Sequence, residues 1–432
     1  MDILSQLTSR AEQVEVAHIQ SAATIVEFEA NRLKASRIEN TRGVAVRVVR
    51  AGRLGFSASS DETAMDQLAA NVLESAACGE EIPLQFRPPD PGAGVTSFDE
   101  RIVDLPVSRL VEMGEEIVEL LLQSAPELQV NVAIRRRIQR LDLTNQGGSR
   151  VAVSRSPLSI TMEATRIRED DVLILEAESG WTAWHDDYLA EARSLATRFE
   201  RSRSLTRIHS GEMPVLFAPG GALVLALPLQ AAVDGKNVYR GASPLGGKIG
   251  QELLDSKITL IDDGTLDGRL ASAPYDDEGI PHHRCVLIDR GVVRGFLYDL
   301  KTAALAGVAS TGNGSRQLFE PPAPAPTSLL VEAGAPTQAE LLAEIEEGLL
   351  VEDVLGLGQG NILSGAFSNP VNLGFRIEKG EIVGRVKNVS VAGNVYTALK
   401  DVAGISRERE WVYSIYHLPS LLMPKINVVA QD

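Results

Sequence analysis

The segment Met213–Val233 contains no charged residue, and it places the strongest constraint on how this chain can fold. A stretch of that length must lie either in a membrane or in the interior of a folded domain. Three prolines and two glycines interrupt it, namely Pro214, Pro219, Gly220, Gly221 and Pro228. Because proline breaks helical hydrogen bonding, a single spanning helix fits poorly. The segment instead predicts a buried strand, a turn and a buried helix, with no attachment to a membrane.

The overall composition narrows the class of protein. At 432 residues the chain is long for one hydrophobic core, so two domains, or three, are expected. Its 42 basic and 58 acidic residues leave a formal charge of −16, which argues against direct binding to nucleic acid. Cys78 and Cys285 indicate no disulfide framework. The opening residues Met1–Gln6 lack the basic start and apolar core of a secretory signal, so a cytoplasmic protein is expected.

The order of the predicted elements indicates an α+β protein with two domains. The first, residues 1–205, is expected to combine a mixed sheet with helices. Its predicted elements are a strand over Thr24–Leu33, a hairpin of Val44–Arg50 and Leu54–Ala58, a helix over Val107–Gln123, long strands within Gln129–Glu176 and a helix over Trp181–Arg201. The polar run Ser202–Ser210 marks the boundary. The second domain, residues 206–432, is expected to be strand-rich around the buried helix of the uncharged segment.

The stretch Ser272–Asp299 carries the first candidates for chemistry. It predicts an acidic turn, Asp276–Gly279, followed by a hairpin whose arms, His282–Ile288 and Val292–Tyr298, meet at Asp289–Gly291. The three carboxylates of the turn could coordinate a hard cation or act as acid and base. Three acids before a glycine are also typical of a solvated or turn-capping cluster. Both interpretations stay open at the level of sequence.

A second candidate is the pair His283 and Cys285 on the first arm of this hairpin. Two residues apart on a strand, they are expected to point to one face, where they could supply two metal ligands. Zinc requires at least one more protein ligand, and no spacing in the sequence supplies it. The alternative is a hairpin that merely carries polar residues.

A set of short motifs extends over both predicted domains. The first domain holds TIVEFE at 24–29, which leads into ANRL at 30–33, and the hairpin sequence at 43–56. The second domain holds Tyr239–Ser243, Asp276–Gly279 with the hairpin after it, Ser310–Gly314, Gly374–Ile382 and Ala392–Asn394. Taken in this order, the motifs resemble those of the TldD/PmbA family, also called modulators of DNA gyrase, over nearly the whole chain.

The resemblance implies a cytoplasmic metallopeptidase that acts on extended or unfolded peptides. The TldD branch of the family carries an H-E-x-x-x-H helix for zinc and a Cys near the C-terminus. The PmbA branch, also called TldE, lacks that helix motif and joins the first branch as a partner subunit. When the motif is aligned through Asp234–Gly235 and Arg240–Ser243, its two His positions fall at Ala226 and Ala231 and its Glu position at Leu227. These apolar side chains can neither bind zinc nor act as a base.

By this resemblance the chain is expected to be a PmbA/TldE-like subunit without zinc of its own. The zinc is expected in a TldD-like partner chain. Pro228 is expected to distort the helix that corresponds to the zinc-binding one. The matched motifs make six residues candidates for contact with a peptide substrate or for structural roles: Tyr239, Arg240, Asp276, Asp277, Glu278 and Asn313.

Two other classes of function remain open. One is a homodimeric peptide-binding scaffold without catalysis. The other is an independent hydrolase that uses the acidic turn or the pair His283 and Cys285. The expected partners are a TldD-like metal-bearing subunit and a peptide substrate, with neither nucleic acid nor membrane, and the expected assembly is a homo- or hetero-dimer.

Overall fold

The first half of the chain forms one antiparallel sheet of seven strands. The computed structural model describes residues 3–88 and 90–431, so Met1 and Asp2 of the opening segment lie outside the described residues. The strands are β1 (Gln13–Glu29), β2 (Arg32–Arg50), β3 (Arg53–Ser59), β4 (Gln129–Asn145), β5 (Arg150–Arg155), β6 (Leu158–Arg168) and β7 (Asp171–Trp181). Their order is β3-β2-β1-β4-β6-β7, with β5 paired to β4.

Two groups of helices cover one face of this sheet. The helices are α1 (Ile3–Thr8), α2 (Met65–Ala77), α3 (Glu100–Val103), α4 (Val107–Ser124) and α5 (Ala190–Arg201). Val14 and Val16 of β1 pack with α1 and α2, whereas Val26, farther along β1, packs with α4 and α5. Because alternate residues of a strand share a face, both groups lie on the same side. Within the described residues, no helix packs on the middle of that face, between the two groups.

Two tight turns set the register of the first three strands. Ala51 and Gly52, with φ of 49° and 71°, join β2 to β3 as the sequence predicted. Ala30 and Asn31, with φ of 47° and 70°, reverse the chain between β1 and β2. The predicted strand Thr24–Leu33 is therefore wrong at its end. Asn31 fixes the turn by accepting from the backbone N–H of Val130 at 2.6 Å.

The predicted helix Trp181–Arg201 is also wrong in its first half. Trp181 ends β7, opposite Leu158 of β6, and its ring stacks on that of His185 at 5.4 Å between centroids. The helix begins only at Ala190. Helix propensity predicted the Ala- and Glu-rich part correctly. The conformation at Trp181 was set by strand pairing instead.

The second half forms a sheet of eleven strands and a two-stranded hairpin. The large sheet contains β8 (Gly211–Phe217), β9 (Leu260–Asp263), β10 (Arg284–Asp289), β11 (Val292–Val293), β14 (Leu329–Val331), β15 (Glu347–Val354), β16 (Ala366–Glu378), β17 (Glu381–Arg385), β18 (Val389–Asn394), β19 (Gly404–Val412) and β20 (Tyr416–Ala430), and the hairpin contains β12 (Gly314–Gln317) and β13 (Glu320–Pro324). The helices are α6 (Leu223–Val233), α7 (Gly235–Tyr239), α8 (Leu300–Ala306), α9 (Gln338–Ala343) and α10 (Val395–Ala398), with a 3₁₀ turn at Ile362–Ser364.

Five strands of the large sheet close into a ring around which the core of the second half is built. The ring runs β8-β15-β16-β18-β20 and closes because β20 also pairs with β8. The uncharged segment supplies β8, a turn and α6, which confirms the predicted strand, turn and buried helix. Pro228 lies inside α6, so the expected distortion does not end the helix.

These two sheets confirm the predicted α+β class, with an N-terminal sheet carrying helices and a strand-rich C-terminal half. The predicted division after residue 205 falls between the end of α5 and the start of β8. A shared apolar core joins the halves, since Leu216, Leu350 and Phe375 of the second sheet pack in the same cluster as α4 and α5. No helix within residues 3–88 and 90–431 is long and apolar enough to cross a membrane.

Candidate functional site

The acidic turn is held in place by many hydrogen bonds, most of them from backbone N–H groups. Asp276 is fully buried and accepts from the N–H groups of Glu278 at 2.9 Å, Ile280 at 2.8 Å and Gly314 at 2.8 Å. Asp277 accepts from the Arg155 guanidinium at 2.9 Å and from the N–H of Arg316 at 3.1 Å. These bonds tie the turn to the Ser310–Gly314 loop, which the sequence had singled out as a separate motif.

Glu278 completes a buried charge network that crosses from one half of the chain to the other. The network consists of Glu278 and Arg316 from the second half and Glu15 and Arg47 from the first. Arg47 donates to both oxygens of Glu15, at 2.9 and 2.7 Å, and to Glu278. Arg316 donates to Glu15 at 2.7 Å. All four side chains are at most 3% exposed, so solvent does not reach the network. Within it, acidic and basic side chains alternate.

Burial and charge act in opposite directions on this network. Burial opposes ionisation of Glu15, but Arg47 and Arg316 outweigh it and hold the pKa of Glu15 below its usual value. For Glu278 burial dominates over the attraction of Arg47, and its pKa rises to about 7. Glu278 also accepts from the N–H of Leu300 at 2.6 Å, at the start of α8. Neither Asp276 nor Glu278 is accessible to a peptide, which favours the turn-capping interpretation over the catalytic one.

Asn313 lies in a second buried cluster, whose centre the sequence did not indicate. Its side chain donates to Asp262 at 2.7 Å, and Asp262 also accepts from the N–H and hydroxyl of Thr327 and from the N–H of Ser328. Burial raises the pKa of Asp262 to about 6 despite these donors. The only signal in the sequence was that a buried strand ends in Ile-Asp-Asp. Acidic residues are also typical of an ordinary strand end, so this pattern does not indicate a buried cluster. The cluster locks β9 to the two loops around β12 and β13.

His283 and Cys285 do not share a face as expected. Cys285 is buried in β10, whereas His283 precedes the strand and is exposed. Burial, with a smaller effect from Asp262 and Asp263, raises the pKa of the Cys285 thiol to about 12, which disfavours the thiolate that a metal requires. Across residues 3–88 and 90–431, no group of three or more His, Cys, Asp or Glu side chains is arranged to hold a metal ion.

The hairpin that carries these residues is shorter than predicted. Its turn, Arg290-Gly291, has φ of 46° and 79°, but the second arm pairs only over Val292–Val293. Gly295 and Phe296 then leave the sheet and lead towards α7, where Leu297 bridges to Asp234. Because the strand pairing stops after Val293, the following segment can form backbone hydrogen bonds at the end of α6, through Leu297.

Helix α6 occupies the place where the family resemblance puts a metal site. Ala226 is 4% exposed and packs in the core, and Ala231 and Leu227 are partly buried. Leu227 lines a cleft of about 160 Å³ together with Val224, Pro228 and the loop 355–359. The side chains of Ala226, Leu227 and Ala231 provide no metal ligand and no proton acceptor, and the polar side chains that line the cleft, Gln359, Ser368 and Asn369, are neutral.

Polar contacts hold α6 in place from its C-terminal end. Asn237 donates to the carbonyl of Ala231 at 2.8 Å, and the Ser243 hydroxyl donates to that of Ala232 at 2.6 Å. Ser243 belongs to the Tyr239–Ser243 motif, so part of that motif has a structural role. Tyr239 and Arg240 themselves are exposed at the end of α7 and are not brought together with the acidic turn or Asn313 by any contact in the described part of the chain.

A second acidic region, the acidic cleft, lies open between the two sheets. It consists of two adjoining cavities of about 410 and 280 Å³ that share Glu176, Glu178 and Tyr413. Burial raises the pKa of Glu176, Glu178 and Glu191 there. In the described residues none of these three carboxylates has a Lys or Arg within ion-pair distance. The two arginines of the cleft are held by Glu352, Arg201 at 2.7 Å and Arg198 at 3.6 Å.

The structure is a two-sheet α+β protein whose helix α6 is apolar at Ala226, Leu227 and Ala231. Residues 210–430 match the family model described as the PmbA/TldA metallopeptidase C-terminal domain, and residues 14–76 match its domain 1. The chain belongs to the TldD/PmbA family.

Relatives and solved structures agree with this assignment. An uncharacterised protein of Methanocaldococcus jannaschii is 24% identical over 393 residues, which cover 90% of each chain. A metalloprotease TldD homolog of Haemophilus influenzae is 31% identical over 203 residues, 46% of this chain and 42% of that protein. The crystal structure of TldE from Thermococcus kodakarensis superimposes with a TM-score of 0.89 at 21% identity, covering 99% of both chains, which establishes the shared fold.

Proposed function

We propose that this chain is the zinc-less, PmbA/TldE-like subunit of a heteromeric metallopeptidase that acts on extended or unfolded peptides in the cytoplasm. The observation that carries the proposal is the chemistry of α6. Ala226, Leu227 and Ala231 stand where the resemblance puts the ligands and the base of the catalytic branch, and the only polar side chains that line the cleft beside Leu227 are the neutral ones of Gln359, Ser368 and Asn369. A catalytic zinc needs three protein ligands and an open position. The subunit would complete a substrate chamber whose metal belongs to a TldD-like partner.

An independent hydrolase finds less support. Asp276 and Glu278 are buried and occupied by backbone and arginine donors, and Cys285 is a buried thiol whose raised pKa disfavours the reactive thiolate. Cys78 and Cys285 form no disulfide with each other, which is in keeping with the cytoplasmic location that we propose.

The first test is the zinc content of the purified chain after a chelator wash, measured by elemental analysis. The proposal expects no stoichiometric zinc, and about one zinc per chain would overturn it, because a structural or catalytic site binds its metal tightly. The same sample should contain no peptidase activity on an unfolded peptide.

The second test mixes this chain with a TldD-like chain that carries the H-E-x-x-x-H helix. Peptide hydrolysis is expected from the mixture, and the double variant His283→Ala, Cys285→Ala should support it as well as the unmodified chain does. Removing the first His of the partner's motif should abolish it. Activity of this chain alone that is lost in the double variant would instead establish the independent hydrolase.

A further inference from the structure

A cavity of about 710 Å³ lies on the part of the first sheet that no described helix covers. Residues of β1, β2, β4 and β5 line it, and the loop before α3 contributes Phe98. Ser97 anchors that loop, since its hydroxyl donates to the carbonyl of Ser154 at 2.9 Å and its carbonyl accepts from the N–H of Ser156 at 3.0 Å. The volume of the cavity is in the range typical of ligand-binding sites.

Four polar side chains of this cavity form one row across adjacent strands, the donor row. Gln20 of β1 is in register with Arg42 of β2 and with Arg140 of β4. Arg140 is in turn in register with Ser154 of β5. Gln20 lies four residues after Val16, so the row points to the face of the sheet that carries the helices. Its two guanidinium groups, carboxamide and hydroxyl can all donate hydrogen bonds.

The charge of the cavity is opposite to that of the whole chain. The chain has 58 acidic and 42 basic residues, yet none of the described residues that line the cavity is acidic. Arg140 is paired with Asp142, at 2.7 and 2.8 Å. Among the described residues no carboxylate lies within ion-pair distance of Arg42, whereas Arg37 on the same strand is paired with Glu39. The donor row therefore offers an uncompensated cation to an anionic ligand.

The neighbouring row of the cavity is mainly apolar. Ala22 and Ile138 stand side by side in it, and Asn40 completes it on β2. Phe98, which is 37% exposed, lines the same space. The two rows are two residues apart along the strands, which is about 7 Å. A ligand that fits both rows carries an anionic group and, close to it, an apolar group.

We propose that this cavity binds the C-terminal end of a peptide, with its carboxylate at Arg42 and its apolar last side chain beside Phe98. A guanidinium binds a carboxylate through two parallel hydrogen bonds, and the carboxamide of Gln20 can donate a third. Asn40 and Thr41 are exposed, so the rest of a peptide can leave the cavity on that side. A free small molecule would instead need walls around most of its surface. The inference rests on the proposed function only in taking a peptide as the ligand.

The first test measures peptide binding to this chain alone, without zinc or a partner subunit. The probe is the peptide Gly-Ser-Gly-Ser-Gly-Leu-Phe with fluorescein at its N-terminus, and fluorescence anisotropy gives its dissociation constant. Amidation of the C-terminus should raise that constant by about tenfold or more, because the amide lacks the charge that Arg42 binds. A peptide that ends in Ser-Ser should also bind about tenfold more weakly, because it buries less apolar surface.

The second test uses variants of the cavity, with circular dichroism as a check on folding. Arg42→Met should raise the dissociation constant of the free-acid peptide by about tenfold and remove its advantage over the amide. Arg32→Met is the matched control, because Arg32 is exposed on the same strand but does not line the cavity, and it should change neither value. Phe98→Ala should weaken the peptide that ends in Leu-Phe and leave the Ser-Ser peptide unchanged.

Three results would overturn the proposal. The first is equal binding of acid and amide, or no binding of either. The second is an equal effect of Arg42→Met and Arg32→Met, which would indicate only a general attraction between charges. The third is tighter binding of hydrocinnamate than of the peptide in competition, which would assign the cavity to small carboxylates. None of these results depends on the zinc content or on activity with a partner, so the proposed function is tested separately.

Discussion

Two acidic regions lie between the halves of this molecule, and they are built in opposite ways. In the buried charge network, Glu15 and Glu278 are sealed from water and every carboxylate has an arginine partner. In the acidic cleft, Glu176, Glu178 and Glu191 are only partly desolvated and lack such a partner in the described residues. Acidic residues between the two halves of the chain therefore have two different roles.

The difference follows from how burial and pairing balance. A fully buried carboxylate is tolerated only with a compensating charge and hydrogen bonds. A carboxylate that keeps contact with water needs no partner and bears only a modest cost, which appears as a raised pKa. The network is therefore a structural joint between the halves, and the cleft is a surface that remains available to a ligand.

The largest effect is expected from Arg47→Met, which leaves Glu15 and Glu278 buried beside each other without their shared cation. Removing one partner of a buried ionic group costs about 3–5 kcal/mol, so the urea midpoint should fall sharply. Arg140→Met is the matched control, because Arg140 pairs with Asp142 at an exposed position, and its midpoint should stay unchanged. A similar small effect for both variants would show that the network does not join the halves.

The second prediction concerns the pH dependence of stability through Glu278. Burial raises its pKa from the usual 4.5 to about 7, so between these pH values the native state binds more protons than the unfolded state. This group's contribution to the free energy of unfolding is then present below pH 4.5 and is lost as the pH rises to about 7. Glu278→Gln should flatten that fall, on the order of 1–3 kcal/mol, in unfolding curves measured across the range. Parallel curves for variant and wild type would contradict the assignment.

Substitutions in the acidic cleft are expected to stabilise the protein slightly, whereas Arg47→Met destabilises it strongly. Glu178→Gln or Glu191→Gln removes a partly desolvated charge that has no partner, so each should raise the free energy of unfolding at pH 7. The gain should be about 0.3–1 kcal/mol because solvent screens the charge. Chemical unfolding of both variants measures it, and a loss of stability would indicate a partner that pairs with them.

The smallest effect is expected from salt. Added salt screens repulsion between partly exposed charges but reaches a sealed network poorly. Wild-type stability should therefore rise slightly with moderate salt, and the double variant Glu178→Gln, Glu191→Gln should lose that rise. Persistence of the full rise in the double variant would place its origin outside the cleft.

Much of the local structure followed from sequence. The Ala51-Gly52 hairpin, the helix Val107–Ser124 and the strand and helix of the uncharged segment each depend on neighbours in the chain. The prediction failed at Leu33 because Ala30 and Asn31 turn the chain back onto β1, and it failed at Trp181 because pairing with Leu158 of the preceding strand overrode the local preference for helix.

The candidate site divides in the same way. The sequence by itself determined which chemistry is absent from α6, because the side chains of Ala226, Leu227 and Ala231 cannot bind a metal wherever they lie. Only the tertiary structure decided what the acidic turn does, since Glu15 and Arg47 lie more than two hundred residues from Glu278 along the chain. The charge of a carboxylate is written in the sequence, but its partner and its solvation depend on long-range packing.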